Sequence, residues 1–271
     1  QQTTKRIISL APSITETLFA LGLADNVVAV TDYCDYPPQV LQLPKVGGLI
    51  NPSLEAIIAL QADLVIISNP QGKIVDQLQQ LNINTLVVSD SSLNDIKQSI
   101  TMIGQRTQHQ PQAQKLLDDI ERVSRIISQK VANLDQPRVM ISIGHSLGTN
   151  HIKTAYIAGQ HDFYNDLINL AGGQNAYQNK LLKVPSISSE GIMQLNPQVI
   201  IDIFPEADDH NADISQVLKQ WHNLKYVDAI THNRVHIIEK NYATIPGPRI
   251  FLLLKQLAPL IHPELDWDLT I

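Results

Sequence analysis

A single cysteine, Cys34, stands in 271 residues, which rules out an internal disulfide and every metal site built from several thiolates. Aromatic residues make up only 5% of the chain and charged residues only 17%. Basic residues are outnumbered, 20 Lys and Arg against 26 Asp and Glu, so no cationic footprint exists for nucleic acid or an anionic lipid surface. Nucleic acid is not an expected partner. No apolar run approaches the roughly 20 residues that span a bilayer, and one of the longest, residues 250–261, contains Lys255 and Pro259. Nucleotide signatures are missing too. Gly47-Gly48 and Gly172-Gly173 read as turn pairs, and neither the G-x-G-x-x-G nor the P-loop spacing occurs.

What is present is a hydrophobic content of 44%, enough to bury one large core or two small ones. The N-terminus, Gln1-Gln2-Thr3-Thr4-Lys5, runs almost at once into a strand-like segment, which fits a mature chain left after signal cleavage. Short apolar runs at 6–9, 27–30, 64–67 and 85–88 alternate with helical patterns, and the alternation resumes at 138–143, 199–203 and 234–238. That rhythm predicts an α/β protein with doubly wound, mainly parallel sheets. Residues 15–22 read as a helix stopped by Gly22, and a last helix is expected over 248–260. Between the halves, Leu116, Leu117, Ile120, Val123, Ile126, Ile127, Val131 and Leu134 form one stripe of a long amphipathic helix over 113–134. The expected organisation is an N-terminal lobe (1–106), a connecting helix (107–136) and a C-terminal lobe (137–271).

An internal echo supports two similar lobes. Residues 54–67 match 189–202 in pattern, each a short helix opening on a glutamate, Glu55 or Glu190, then a turn and a buried strand.

Gly144-His145-Ser146-Leu147-Gly148 satisfies the nucleophile-elbow spacing after a strand, so a serine hydrolase at Ser146 is an alternative, with Asp202 and His236 in suitable chain order. An elbow must lead straight into a helix, and residues 149–159 show no helical period. His145, His151 and His161 form the densest histidine group, but gaps of six and ten do not place ligands on one helical face. They read as solvated loop histidines, one of which could touch a ligand.

Two loops stand out as ligand contacts. Residues 31–38 follow a strand and carry Asp32, Tyr33, Asp35 and Tyr36, where ligands meet doubly wound folds. Residues 241–249 follow a late strand and carry Tyr242 and Arg249.

The segments Arg6-Ile7-Ile8-Ser9-Leu10-Ala11-Pro12-Ser13, Asp35-Tyr36-Pro37-Pro38, Asn51-Pro52-Ser53-Leu54-Glu55 and Ala62-Asp63-Leu64-Val65-Ile66, with the long central helix and Gly247-Pro248-Arg249, resemble the periplasmic-binding-protein family of cobalamin, ferric-siderophore and haem importers. The likeness covers nearly the whole chain and is greatest to the cobalamin branch, through Tyr33-Cys34-Asp35-Tyr36-Pro37-Pro38. It implies two rigid lobes joined by one helix, with ligand held between them and no catalysis. It also implies a periplasmic, monomeric protein delivering its ligand to an ABC permease in the inner membrane. One surface glutamate per lobe would dock onto permease arginines, and these map onto Glu55 and Glu190. Where cobalamin binders of the family place tryptophans, this chain has Leu49-Ile50 and Ser186-Ile187, while Trp221 and Trp267 lie elsewhere. Leu49, Ile50 and Ser186 therefore join Asp32, Tyr33, Tyr36, His145, Tyr242 and Arg249 as the expected ligand set. Haem, with Tyr33, Tyr36, His145 or Tyr242 as axial ligand, and a ferric siderophore near Arg249 are the alternative cargoes.

Overall fold

The computed structural model describes residues 6–70, 73–146, 152–205 and 213–268. The chain forms two compact units, residues 1–120 with 245–248 and residues 121–244 with 249–271.

In the first unit, β1 (Ile7–Ser9), β2 (Val27–Val30), β3 (Leu64–Ser68) and β4 (Thr85–Val88) form a parallel sheet in the order β2-β1-β3-β4. β1 and β3 are apolar along nearly their whole length because both faces are covered. Helices α1 (Pro12–Ala20), α2 (Leu54–Ala59), α3 (Ile74–Gln80) and α4 (Leu93–Thr107) connect and follow the strands. Ile8, Val65, Ile57 and Leu78 lie in one core cluster. α4 opens on a reciprocal capping box between Ser92 and Asp95, satisfying two otherwise orphan N–H donors.

The long helix, α5, spans Gln110–Val131. It starts three residues earlier than the stripe implied because Pro111, in its first turn, gives up no intrahelical hydrogen bond there. α4 approaches α5 so closely that a Cβ on Gly104 would sit 2.5 Å from that of Ala113, so only glycine fits.

The second unit holds β5 (Arg138–His145), β6 (Thr154–Ile157), β7 (Gln174–Asn175), β8 (Ser186–Ser188), β9 (Val199–Ile203) and β10 (Val235–Ile238). The order is β10-β9-β5-β6-β8, with β7 paired to β5. β10, β9 and β5 are parallel, whereas β6 runs antiparallel to both β5 and β8. Its helices are α6 (Phe163–Leu170), α7 (Ser189–Leu195), α8 (Ile214–His222), α9 (Asp228–Thr231) and α10 (Ile250–Ile261). Trp221, Met140, Ile200 and Phe204 belong to its core cluster. Among the described residues no helix is long and apolar enough to cross a membrane.

Candidate functional site

In the first unit the loop after β2 is folded onto residues 45–53. The Asp32 N–H donates to the Gly47 carbonyl at 3.0 Å, and the Val46 N–H to that of Val30 at 3.0 Å. Gly47 has φ +93°, a left-handed conformation that a side chain would strain. The Tyr33 ring lies against Gly48. Beneath the loop Cys34 is buried, its sulfur 3.2 Å from both the Thr15 and Thr31 hydroxyls, and Lys45 donates to its carbonyl at 2.8 Å. What this foundation presents outward is Asp32, Tyr33, Tyr36, Leu49 and Ile50, all exposed, Tyr33 to 65% and Ile50 to 70%. The fold thus gathers five of the expected ligand residues onto two interlocked loops at the carboxyl end of β2. At the ends of β1, β3 and β4, Ser13 donates to Asp90 at 3.0 Å and Asn69 donates to the other Asp90 oxygen.

Glu55 and Glu190 occupy equivalent places. Ser53 caps α2 by accepting from the Ala56 N–H at 3.2 Å, and Ser188 caps α7 by accepting from Gly191 at 3.2 Å. Each glutamate is the second helical residue, exposed, and favourably placed near a helix N-terminus. Each helix then leads into the strand beside the first strand of its unit, β3 next to β1 and β9 next to β5.

His145 departs from the reading of a solvated loop histidine. β5 extends through it, and its side chain is fully enclosed. Nε2 lies 2.8 Å from Asp202 Oδ2, and the Trp221 indole donates to that same oxygen at 2.9 Å. The imidazole stacks on Phe204 at 5.9 Å and meets the edge of Trp221 at 5.7 Å. Burial pulls its pKa down, but the hydrogen bond and charge of Asp202, aided by the Ser146 backbone, outweigh that and leave it raised above 6.5. The sequence did not reveal this because Asp202 is 57 residues away and meets His145 only through strand pairing.

Around it, Ser186 is exposed on β8 and pairs with Tyr156 on β6, which in turn pairs with Gly144. Tyr156 is 54% exposed and absent from the expected set, because β6 is too short and mixed to show as a strand. Tyr242 and Arg249 are brought together, the guanidinium 5.5 Å from the ring centroid and donating to Asn241 at 3.3 Å. Burial raises the Tyr242 pKa, and Arg249 partly opposes this.

The hydrolase constellation is not assembled. Asp202 is engaged by His145 and Trp221. His236 pairs in register with Ile201, so strand alternation turns it to the face opposite Asp202. Leu147 and Gly148 of the elbow, and His151, lie outside the described residues. Among the described residues no group of three His, Cys, Asp or Glu could hold a metal ion.

The family profile described as "Periplasmic binding protein" matches residues 7–242. An uncharacterized ABC transporter substrate-binding lipoprotein of Bacillus subtilis is 29% identical over 268 residues, covering 96% of this chain and 81% of the relative. A vitamin B12-binding protein of Vibrio parahaemolyticus is 29% identical over 248 residues, covering 90% and 85%. Among solved structures, the vitamin B12-binding protein of Vibrio cholerae superposes with TM-score 0.79 at 24% identity, over 96% of this chain and 98% of that one. A haem-binding protein from Roseiflexus sp. RS-1 superposes with TM-score 0.80 at 23% identity, over 96% and 98%. At these identities the structural likeness is one of fold.

Proposed function

Because this chain belongs to the periplasmic-binding-protein family, as a substrate-binding protein of the ABC importers for vitamin B12, haem and siderophores, we propose that it captures cobalamin or a related corrinoid and delivers it to a membrane permease. The observation that carries the choice is the surface built by Tyr33, Tyr36, Leu49 and Ile50, exposed on a braced pair of loops. A corrin is broad, flat and largely apolar, and it gains from aromatic and aliphatic faces fixed before it arrives. Relatives named vitamin B12-binding proteins that align with most of this chain favour the same cargo. In this reading Tyr156, Ser186, Tyr242 and Arg249 of the second unit are further ligand contacts, and His145, bonded to Asp202, holds the end of β5 beside the strand that carries Tyr156. Glu55 and Glu190 orient the protein on permease arginines. It works as a monomer on the periplasmic side, without chemistry of its own.

Titration with cyanocobalamin, haemin and a ferric hydroxamate, followed by tryptophan fluorescence, tests the cargo. Saturable binding of cyanocobalamin, weakened in Tyr33→Ala, supports the reading; saturation by another of the three alone overturns it. Haem is the second reading, favoured by the exposed Tyr33 and Tyr36 phenols as axial ligands. A Soret band on haemin addition that disappears in Tyr33→Phe or Tyr36→Phe would establish it.

A further inference from the structure

The helices that carry Glu55 and Glu190 agree in more than their glutamates. Two residues beyond each glutamate stands an isoleucine buried in its unit, Ile57 at 1% exposure and Ile192 at 0%. Three residues beyond stands a large apolar side chain turned outward, Ile58 at 48% and Met193 at 39%. Positions i and i+3 share a helix face, so each carboxylate and its apolar neighbour present together. Single exposed apolar residues are ordinary on any surface. These two recur at one position of a serine-capped helix, beside an exposed carboxylate, in both units. Among the described residues neither carboxylate has an ion-pair or side-chain hydrogen-bond partner, which leaves both available to a cation. Beside Glu55 lies an open hollow lined by Ile50, Pro52, Lys73, Ile74 and Gln77.

We infer that Ile58 and Met193 are docking residues, and that the partner presents, twice, a guanidinium or ammonium beside an apolar recess. This rests on the reading of Glu55 and Glu190 as permease contacts and adds the apolar component. The carboxylates fix orientation and speed encounter, whereas the side chains that lose water on docking supply most of the affinity. Methionine suits such a role because its unbranched thioether adapts to an irregular recess.

The test measures binding of the whole, ligand-loaded protein to the importer's own permease–ATPase complex in lipid nanodiscs. Ile58→Ser and Met193→Ser are each expected to weaken binding about tenfold, and the double variant further, in line with loss of a buried apolar side chain. Ile58→Leu and Met193→Leu should retain binding, as should Leu81→Ser, an exposed apolar residue outside the patch. Ligand affinity and thermal midpoint should be unchanged in all of them, which separates docking from folding. Should the serine variants bind like the unaltered protein while Glu55→Arg and Glu190→Arg abolish binding, the apolar inference falls and the docking glutamates stand. Should the charge reversals also bind normally, the docking reading falls with it. Equal weakening by Leu81→Ser would overturn the inference as well.

Discussion

The two units share one plan and part from it at one edge. From the first strand of each, the sheet continues the same way, β1-β3-β4 in one and β5-β9-β10 in the other, with a serine-capped, glutamate-bearing helix before the second of these strands. On the other side of the first strand, unit one has parallel β2, whereas unit two has the two-residue parallel β7 beside the start of β5 and antiparallel β6 beside its end. The reason lies in the length of the first strand and in the element it enters. β1 ends after three residues and Pro12 opens α1 almost at once, whereas β5 runs for eight residues and pairs back on β6. The polar groups at the strand ends therefore meet different surroundings. In unit one Ser13 and Asn69 each donate to Asp90, with Asn69 exposed; in unit two the long strand carries His145 into the interior, onto Asp202 and Trp221. One plan thus gives a half-buried polar cluster in one unit and a fully enclosed one in the other, and the cost of breaking each should differ.

The largest effect is expected from Asp202→Ala, which leaves a buried imidazole and an indole N–H without their acceptor. Urea denaturation followed by tryptophan fluorescence should show a loss of about 3–5 kcal/mol. Asp90→Ala, in a half-buried cluster that water can reach, should cost about 1 kcal/mol. Equal losses would break the comparison. The shared part of the plan predicts equality instead: Ser53→Ala and Ser188→Ala should each cost about 1 kcal/mol, and a clear inequality would show that the caps are not equivalent.

The subtlest signal is in pH. The folded pKa of His145 is raised, so its contribution is fully present below about 6.5 and is lost as pH rises through the higher folded value. His236 is pulled down by burial and by Arg234 and produces the opposite slope. The difference between the unaltered protein and Asp202→Asn, measured by denaturation from pH 5 to 8, isolates His145. It should shrink as pH rises, and a difference that does not change would refute the role given to that pair.

The strands of the parallel cores were legible because burial on both faces leaves uninterrupted apolar runs. β2 and β4 lie where the runs at 27–30 and 85–88 put them, and β9 at 199–203. β6 and β8 were not legible: Thr154–Ile157 and Ser186–Ser188 are short and part-polar, and they owe their extended form to pairing, β6 with β5 and β8 with β6. In the candidate site, loop position was readable from the strand before it, which is why Tyr33, Tyr36, Tyr242 and Arg249 could be nominated. The pairing of Tyr242 with Arg249 is local. That of His145 with Asp202 is long-range, and no local pattern encodes it.

Cys34 lies buried in the first unit, while Trp221 and Trp267 both belong to the second. The chain therefore carries one native reporter for each half. Alkylation of its lone thiol clocks the opening of the first unit, and indole emission tracks the second, so the order in which the halves come apart can be read without adding a label.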